Sequence, residues 1–410
     1  RTIHPVVLTG APPGDHVFMP CPGRKSGSVM LQKCPPPPLN LIGEESDFCF
    51  ESISQYAAAI KKVKPNVNVA MLIGHSTLRV GAMSDLSKIA NQQEMNLMRS
   101  RLESAMEEGA IGFSTGTYYK TSAASDEDEI VSLAKVIAPF KGIYATHMRN
   151  EQIGIFKSLN ETFLTAKQAN VKVIISHHKC AGPEIWGRSA ETLSLINNAR
   201  KYQDIGLDVY PYNAGSTVLE PEYIDERFRI FVSSSEPHPE MIGKDLKDIA
   251  IEWGINQKEA AERLKPGGGV YFSMKEEDVR RILSDPNSMI GSDGLPRDVN
   301  PHPRLWGTFP RVLGHYSRDE GLFDLETAIY KMTGLTATNF RLKDRGIIRK
   351  GAFADIVVFD PQTIQDRATY DRPKQTAVGI DAVFVNGALS WANNCLTGPR
   401  CGLFLPNSNN

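Results

Sequence analysis

Short apolar runs alternate with longer amphipathic segments along most of this chain. From these runs we predict seven strands, at residues 28–32, 69–74, 111–113, 143–146, 171–176, 207–209 and 289–291. Apolar positions at helical spacing between the runs predict helices, among them one that begins near Ser84 and ends at Gly109 and one that begins at Ser125. Strands and helices that alternate in this way are typical of repeated βα units and a parallel sheet.

Three stretches depart from this alternation. Residues 213–274 are long and polar and carry helical patterns of their own, which predicts an insertion at the mouth of a barrel, of the kind that often forms a lid. Residues 341–410 change to short alternating strands with glycine turns, which predicts a small β-sandwich portion and a C-terminal tail. Residues 1–27 start at Arg1 and show no periodicity, so we expect an atypical segment there and a barrel over residues 28–340 whose first strand is missing.

The composition is that of an ordinary soluble enzyme. The chain has 410 residues, 41% of them hydrophobic and 23% charged, which is enough for a large core. A net charge of -1 gives no electrostatic reason to expect nucleic acid or an anionic membrane as a partner, and no apolar run reaches the length of a membrane span. Six scattered cysteines do not form a disulfide framework, which favours a reducing, cytoplasmic location. No pattern indicates an oligomeric state.

Side chains with catalytic chemistry follow three of the predicted strands: His147, the pair His177 and His178, and Asp293. In a parallel α/β barrel the carboxyl ends of the strands meet at one mouth, so these groups would be neighbours. Two histidines with a third ligand and an open position describe a catalytic zinc site, although a single histidine is more often a buried hydrogen-bonded side chain. Asp293 could move a proton in such a site, or could cap a turn before Gly294. Because strand side chains alternate, His177 and His178 cannot both point inward.

Several sequence blocks resemble the N-acyl-D-amino-acid deacylases (D-aminoacylases) of the amidohydrolase superfamily. They are YATHMRNE, ISHHKCAGPEIWGRS, DVYPYNAGST, GSDGLP with HPRLWGTFPRVLG, and RGIIRKGAFADIVVFDP, and the resemblance covers roughly residues 74–387. It implies an α/β fold with a (β/α)8 TIM-like barrel and a small β-sandwich. It also implies zinc-dependent hydrolysis of the N-acyl bond of N-acyl-D-amino acids, which are small-molecule substrates, to a carboxylate and a D-amino acid.

The resemblance also implies a metal site. It matches His147 and His177 to two histidines that hold one tight Zn²⁺, and Cys34 is the best match to the cysteine that completes the family's site. The alternative for Cys34 is a free buried thiol. The His-x-His pair with which the family's first strand ends has no counterpart in this chain, so a second metal site is in doubt.

The same resemblance assigns substrate-binding residues. It places Lys179, Tyr210, Ser216 and Arg304 around the α-carboxylate and the scissile carbonyl of the substrate. Arg304 is suited to a bidentate contact with a carboxylate, and Tyr210 could donate to a developing oxyanion. Asp293 would act as base for the attacking water and as acid for the departing amine.

Two other functional classes remain open at this point. Residues 112–116 match the nucleophile-elbow pattern, which would make Ser114 the nucleophile of a serine hydrolase. That pattern needs a helix directly after the serine, whereas residues 118–124 predict a loop. The missing first-strand motif is also compatible with a truncated, non-catalytic relative that binds a ligand or a partner chain.

Overall fold

The structure, a computed structural model, describes residues 6–9 (backbone only), 35–43, 47–48, 50–295 and 298–408. Within them the strands are β1 (Val6–Thr9), β2 (Asn68–Gly74), β3 (Gly112–Gly116), β4 (Ile143–His147), β5 (Lys172–Ile175), β6 (Ile205–Val209), β7 (Gly215–Val218), β8 (Ile230–Ser235), β9 (Gly267–Tyr271), β10 (Ser288–Ile290), β11 (Ile356–Phe359), β12 (Ile380–Val385), β13 (Ala388–Ala392) and β14 (Cys395–Leu396).

The α-helices of the same residues are α1 (Ile53–Val63), α2 (His75–Ala82), α3 (Gln92–Glu107), α4 (Glu127–Ile137), α5 (Ile155–Ala169), α6 (Ser189–Arg200), α7 (Leu246–Trp253), α8 (Gln257–Arg263), α9 (Glu276–Ser284), α10 (Arg304–Arg311), α11 (Leu325–Met332) and α12 (Gly334–Asn339). A π-helical segment, Val312–Asp319, continues α10. No helix in this part of the chain is long and apolar enough to cross a membrane.

Seven parallel strands form a curled sheet in the order β1-β2-β3-β4-β5-β6-β10. All seven residues of β2 are buried, and they alternate between two apolar clusters: Met71 and Ile73 pack with the surrounding helices, whereas Ala70 and Leu72 pack with inward residues of other strands. A sheet that is buried on both faces in this way is the wall of an α/β barrel. The predicted fold class, a TIM-like barrel, is therefore confirmed, with seven of its strands among the described residues.

Six of the predicted strands correspond to β2, β3, β4, β5, β6 and β10, whereas the strand predicted at residues 28–32 lies outside the described residues. The sheet also contains β1, which the sequence analysis missed. Its backbone pairs in parallel with β2, with Val7 opposite Val69. A four-residue strand is too short to show a periodicity of its own, so residues 1–27 had given no signal.

The predicted start of α3 near Ser84 is wrong. Asn91 caps this helix and forms a capping box with Glu94, while the side chain of Asp85 accepts a hydrogen bond from the Ser87 backbone in a local turn. Short polar side chains make such turns as readily as helix caps, which explains the error. The second helix, α4, was predicted to begin at Ser125 but begins at Glu127, because Asp126 is its N-cap.

Two antiparallel sheets accompany the barrel. Strands β7, β9 and β8 form a three-stranded sheet with its own apolar cluster, to which α7 and α8 contribute. Strands β11 to β14 form a four-stranded sheet, and the chain then returns to the barrel, where the Val69 amide donates to the Leu403 carbonyl at 2.8 Å. The antiparallel C-terminal strands agree with the predicted β-sandwich portion, while the boundaries 28–340, 213–274 and 341–410 remain predictions.

Candidate active site

One cavity lies at the carboxyl ends of the barrel strands, where the sheet formed by β7, β9 and β8 borders the mouth. It encloses roughly 630 Å³ including its open mouth. Eight lining residues carry groups suited to catalysis or binding: His147, Glu151, His177, Lys179, Tyr210, Ser216, Asp293 and Arg304. Seven of them were singled out from the sequence, and Glu151 was not. The remaining predicted site residue, Cys34, lies outside the described residues.

The two histidines come from adjacent strands. His147 is the last residue of β4 and His177 follows β5, and the facing ring nitrogens, His147 Nδ1 and His177 Nε2, are 3.0 Å apart. Burial lowers the pKa of both imidazoles well below the ordinary value, so both rings are neutral at physiological pH. The neutral ring is the form that binds metals.

Glu151 joins this pair from the loop after β4. Its Oε1 lies 3.1 Å from His177 Nδ1, and its Oε2 lies 3.7 Å from His147 Nε2. The Lys179 ammonium donates to both oxygens of this carboxylate, at 2.7 and 2.6 Å. It also lies 2.6 Å from His177 Nδ1. Glu151 is therefore the anion that holds both a site histidine and a site lysine in place.

Both His177 and Asp293 have left-handed backbone conformations, with φ of 41° and 46°. Non-glycine residues adopt this region rarely and at a cost, and it is often found at functional sites. At His177 the conformation is supported by Asp208, whose Oδ1 accepts from the His177 amide at 2.9 Å. Gly291 makes room for this carboxylate, since a Cβ there would lie 2.6 Å from Asp208 Oδ1. Each turn redirects the chain at a strand end and brings the side chain to the mouth.

Asp293 pairs with Arg304 at the other side of the cavity. Arg304 Nη1 lies 2.7 Å from Asp293 Oδ2, and both side chains are buried. Burial raises the pKa of Asp293 to about 7, although the charge of Arg304 lowers it. The second oxygen, Oδ1, has no hydrogen-bond partner within the described part of the chain. This carboxyl group can therefore exchange a proton near neutral pH.

The Arg304 guanidinium is placed by two contacts besides Asp293, and its backbone by a third. Its Nη2 donates to the Ser216 carbonyl at 3.3 Å, and its Cζ lies 4.6 Å from the centre of the Tyr210 ring. The backbone amide of Arg304 donates to Nδ1 of His302, whose Nε2 donates to the Ala214 carbonyl. Sequence analysis had quoted the segment that contains His302 without assigning it this role.

Two predicted substrate-binding groups, the hydroxyls of Tyr210 and Ser216, are buried in the cavity wall. The hydroxyls of Tyr210 and Ser216 have no hydrogen-bond partner among the residues that the structure describes, and both residues line the cavity. An uncompensated buried hydroxyl is costly, so these groups are suited to bind a polar ligand. Their positions agree with the predicted contact to a carboxylate or a carbonyl.

Two other buried histidines, His178 and His75, point away from the cavity. His178 Nε2 bonds to the Thr192 hydroxyl at 2.9 Å, on the helix side of the sheet, which agrees with the expectation that only one of the two adjacent rings faces inward. His75 Nε2 lies 2.7 Å from Glu129, a residue that also pairs with Arg79. Neither ring lines the cavity.

The serine-hydrolase alternative does not fit the geometry. Ser114 lies inside β3, and the chain continues into turns rather than into a helix. Its hydroxyl has no hydrogen-bond partner within residues 35–43, 47–48, 50–295 and 298–408, so no histidine there activates it. A nucleophile elbow requires both features.

The donor set fits a zinc ion. His147, Glu151 and His177 each offer a ligand atom, and these atoms lie within 4.8 Å of one another. Two nitrogens bound to one tetrahedral zinc are about 3.3 Å apart, close to the 3.0 Å between the facing histidine nitrogens. A carboxylate that accepts from the second nitrogen of a ligating histidine is the usual companion of such a site, and Glu151 has that position.

Comparison with known proteins assigns the family. The model of the amidohydrolase family matches residues 248–390. The D-aminoacylase of Alcaligenes xylosoxydans xylosoxydans is 48% identical over 371 residues, which are 90% of this chain and 77% of that protein. The chain belongs to the D-aminoacylase family of amidohydrolases.

Two further members of this family are similar over most of their length. The N-acyl-D-glutamate deacylase of the same organism is 41% identical over 93% of this chain and 74% of that protein. The crystal structure of N-acyl-D-glutamate deacylase from Bordetella bronchiseptica, complexed with zinc and a phosphonate inhibitor that mimics the tetrahedral intermediate, is 40% identical. It has a TM-score of 0.88 and covers 98% of this chain and 82% of that chain.

Proposed function

We propose that this chain hydrolyses the N-acyl bond of N-acyl-D-amino acids in a zinc-dependent reaction that yields a carboxylate and a D-amino acid. The observation that carries the proposal is the meeting of the neutral pair His147 and His177 with the ion pair of Asp293 and Arg304 in one cavity. The names of the relatives, D-aminoacylase and N-acyl-D-glutamate deacylase, support the same reaction.

The metal would be held by His147 and His177, with Glu151 beside them. When bound, zinc supplies a Lewis acid that polarises an acyl carbonyl and lowers the pKa of water. Glu151 would orient the ring of His177 through its contact of 3.1 Å with Nδ1. Cys34 remains a predicted further ligand.

Asp293 would transfer the proton in both halves of the reaction. Its free oxygen, Oδ1, takes a proton from the attacking water, and the resulting acid then gives it to the departing nitrogen. A group with a pKa near neutrality is suited to both steps, and burial raises the pKa of Asp293 to about 7.

The α-carboxylate of the substrate would bind at Arg304. The planar guanidinium is held against the Tyr210 ring, and a substrate carboxylate can pair with it when Asp293 turns to the reacting water. The hydroxyls of Ser216 and Tyr210 would complete the contacts to the carboxylate and the scissile carbonyl. Lys179 adds a second positive charge on the side of the histidines.

We also propose a cytoplasmic location. Three cysteines in the described residues, Cys180, Cys395 and Cys401, are free thiols, which suits a reducing compartment.

Zinc analysis combined with a deacylation assay tests the function. The purified chain should contain zinc and release the D-amino acid from N-acetyl-D-methionine but not from its L-isomer. In Asp293→Asn we expect zinc to be retained and kcat to fall by about a hundredfold or more. Asp371→Asn, at an exposed carboxylate, is the matched control. A zinc-loaded chain that leaves every N-acyl-D-amino acid intact would contradict the proposal.

A further inference from the structure

His302 lies two residues before Arg304 in the chain, inside the wall of the active-site cavity. The residue is 2% exposed, and it does not line the cavity. The rings of Tyr212 and Tyr370 enclose it, each with its centre 5.1 Å away and nearly perpendicular to the imidazole. Any role of His302 in the reaction therefore has to act through the residues that it contacts.

Both nitrogens of this imidazole have a backbone partner. Nε2 lies 2.9 Å from the Ala214 carbonyl oxygen, which can only accept, so Nε2 carries the proton. Nδ1 lies 2.9 Å from the Arg304 amide, which can only donate, so Nδ1 is the acceptor. The two contacts thus require one neutral tautomer. Burial and the charge of Arg304 lower the pKa of His302 well below its ordinary value, which keeps the ring in this neutral form.

The contact with Nδ1 fixes the backbone of Arg304. Arg304 is the first residue of α10, and the N-cap of this helix, Pro303, makes no side-chain hydrogen bond to a first-turn amide. Such amides have no partner inside their own helix. Nδ1 of His302 satisfies this one, and the proline between the two residues restricts the backbone that connects them. The imidazole therefore acts as a cap that determines where the Arg304 side chain begins.

The contact with Nε2 joins the imidazole to the start of the insertion. Ala214 is fully buried and directly precedes β7. Two residues further on, the Ser216 carbonyl accepts from Arg304 Nη2 at 3.3 Å. Arg304 is thus attached to residues 214–216 twice, by its backbone through His302 and by its guanidinium directly.

This double attachment holds two predicted substrate-binding groups together. The Ser216 hydroxyl and Arg304 Nε are both buried, and neither has a hydrogen-bond partner within the part of the chain that the structure describes. Both residues line the cavity, so one carboxylate can bind to both groups. A misplacement of about 1 Å in such a site can cost a factor of about 100 in rate. The separation of the two donors depends on the imidazole that links their backbones.

From these contacts we infer that His302 is a positioning residue for the α-carboxylate of the substrate, because it keeps the Arg304 guanidinium and the Ser216 hydroxyl at the separation that one carboxylate requires. The inference rests on the proposed function, in which Arg304 binds this carboxylate. It gives a specific role to a buried histidine that does not line the cavity.

A comparison of N-acetyl-D-methionine with its carboxamide, N-acetyl-D-methioninamide, tests the inference. The two compounds differ only at the carboxylate, so the ratio of their kcat/KM values measures the contact with this group. The parent chain should favour the carboxylate by at least about tenfold. His302→Gln can still donate to the Ala214 carbonyl but offers no acceptor at the position of Nδ1. In this variant, kcat/KM for the carboxylate should fall by about tenfold or more, while the value for the carboxamide stays within about twofold.

His302→Asn is the conservative variant. Its side-chain oxygen can take the position of Nδ1 and accept from the amide two residues further on, as asparagine often does in turns. It should therefore recover most of the carboxylate preference that His302→Gln loses. His238→Gln, at a histidine whose side chain is 35% exposed, is the matched control. Zinc content and turnover of the carboxamide show whether each variant is folded.

The outcomes separate the two proposals. A carboxylate preference that is unchanged in His302→Gln, whether both kcat/KM values fall or neither does, would overturn the positioning role and leave the proposed function intact. The same holds if His302→Asn loses this preference as fully as His302→Gln, or if the parent chain hydrolyses the carboxylate and the carboxamide equally well. A parent chain that hydrolyses no N-acyl-D-amino acid would overturn the proposed function and the positioning role with it.

Discussion

Replacement of Glu151 by glutamine tests the part of the site that sequence analysis did not find. The carboxylate is only 8% exposed, and it contacts Lys179 through both oxygens and His177 through one. Glutamine keeps one acceptor oxygen. In place of the second oxygen it presents an NH₂ group to Lys179 or His177, and this group cannot accept a hydrogen bond. It also removes the charge that balances the buried ammonium of Lys179.

The expected effect of Glu151→Gln is a weaker metal site. Loss of a carboxylate that orients a ligating histidine typically lowers metal affinity or activity by about 10- to 100-fold, which corresponds to about 1.4 to 2.7 kcal/mol. Zinc affinity is measured by competition with a chromogenic chelator, and kcat/KM is measured at saturating zinc. Glu103→Gln, at an exposed position of α3, is the matched control.

A zinc affinity and a kcat/KM that both stay within about twofold of the parent chain would refute this reasoning, given that a change smaller than 0.4 kcal/mol is far below the range above. Thermal unfolding of the variant shows whether the fold is intact. Glu151→Asp should keep part of the zinc affinity, because the aspartate carboxylate still balances the positive charge of Lys179.

Three further outcomes are expected. Arg304→Lys should lower kcat/KM by at least about tenfold with unchanged zinc content, because an ammonium cannot replace the planar contact beside Asp293; unaltered KM and kcat would contradict this. Burial raises the pKa of Glu129, but His75 and Arg79 outweigh it and hold the pKa at about 2. The resulting stabilisation is present above the ordinary pKa of 4.5 and is lost as the pH falls from 4.5 towards 2. Glu129→Gln should therefore remove this pH dependence and lower the free energy of unfolding, measured in urea, by about 3 kcal/mol at pH 7, since the buried Arg79 loses its counter-charge. An unchanged dependence of the unfolding free energy on pH would contradict this. Removal of zinc with a chelator should lower the thermal midpoint, because the ion binds the folded state, and an unchanged midpoint would argue against a bound metal.

The strand ends were the part of the site that could be predicted from the sequence. His147, His177 and Asp293 each follow a buried strand, and the geometry of a parallel barrel brings such positions together wherever they occur in the chain. The hypothesis of a metal-centred mouth therefore needed only the strand pattern and the residue types.

Loop residues could not be predicted in the same way. Glu151 lies four residues after His147, in a segment without periodicity, and its role depends on how the loop turns back towards Lys179. Tyr118 belongs to a stretch that was correctly interpreted as a loop, yet its stacking on Tyr223 joins residues 105 positions apart, which no local pattern encodes. The start of α3 was predicted wrongly because Ser84 and Asp85 can form a turn as well as a cap.

The sequence by itself indicated repeated βα units and a metal-binding group of strand-end residues, because buried strands and the residues that follow them show in local apolar patterns. Its resemblance to the D-aminoacylases added the barrel and the deacylase reaction. Only the tertiary structure decided which partners those residues have. It paired Asp293 with Arg304, attached Glu151 to the histidines and stacked Tyr118 on Tyr223. The physical reason is that a pKa, a metal site and the lining of a cavity depend on distances of a few ångströms between distant segments, and packing sets these distances.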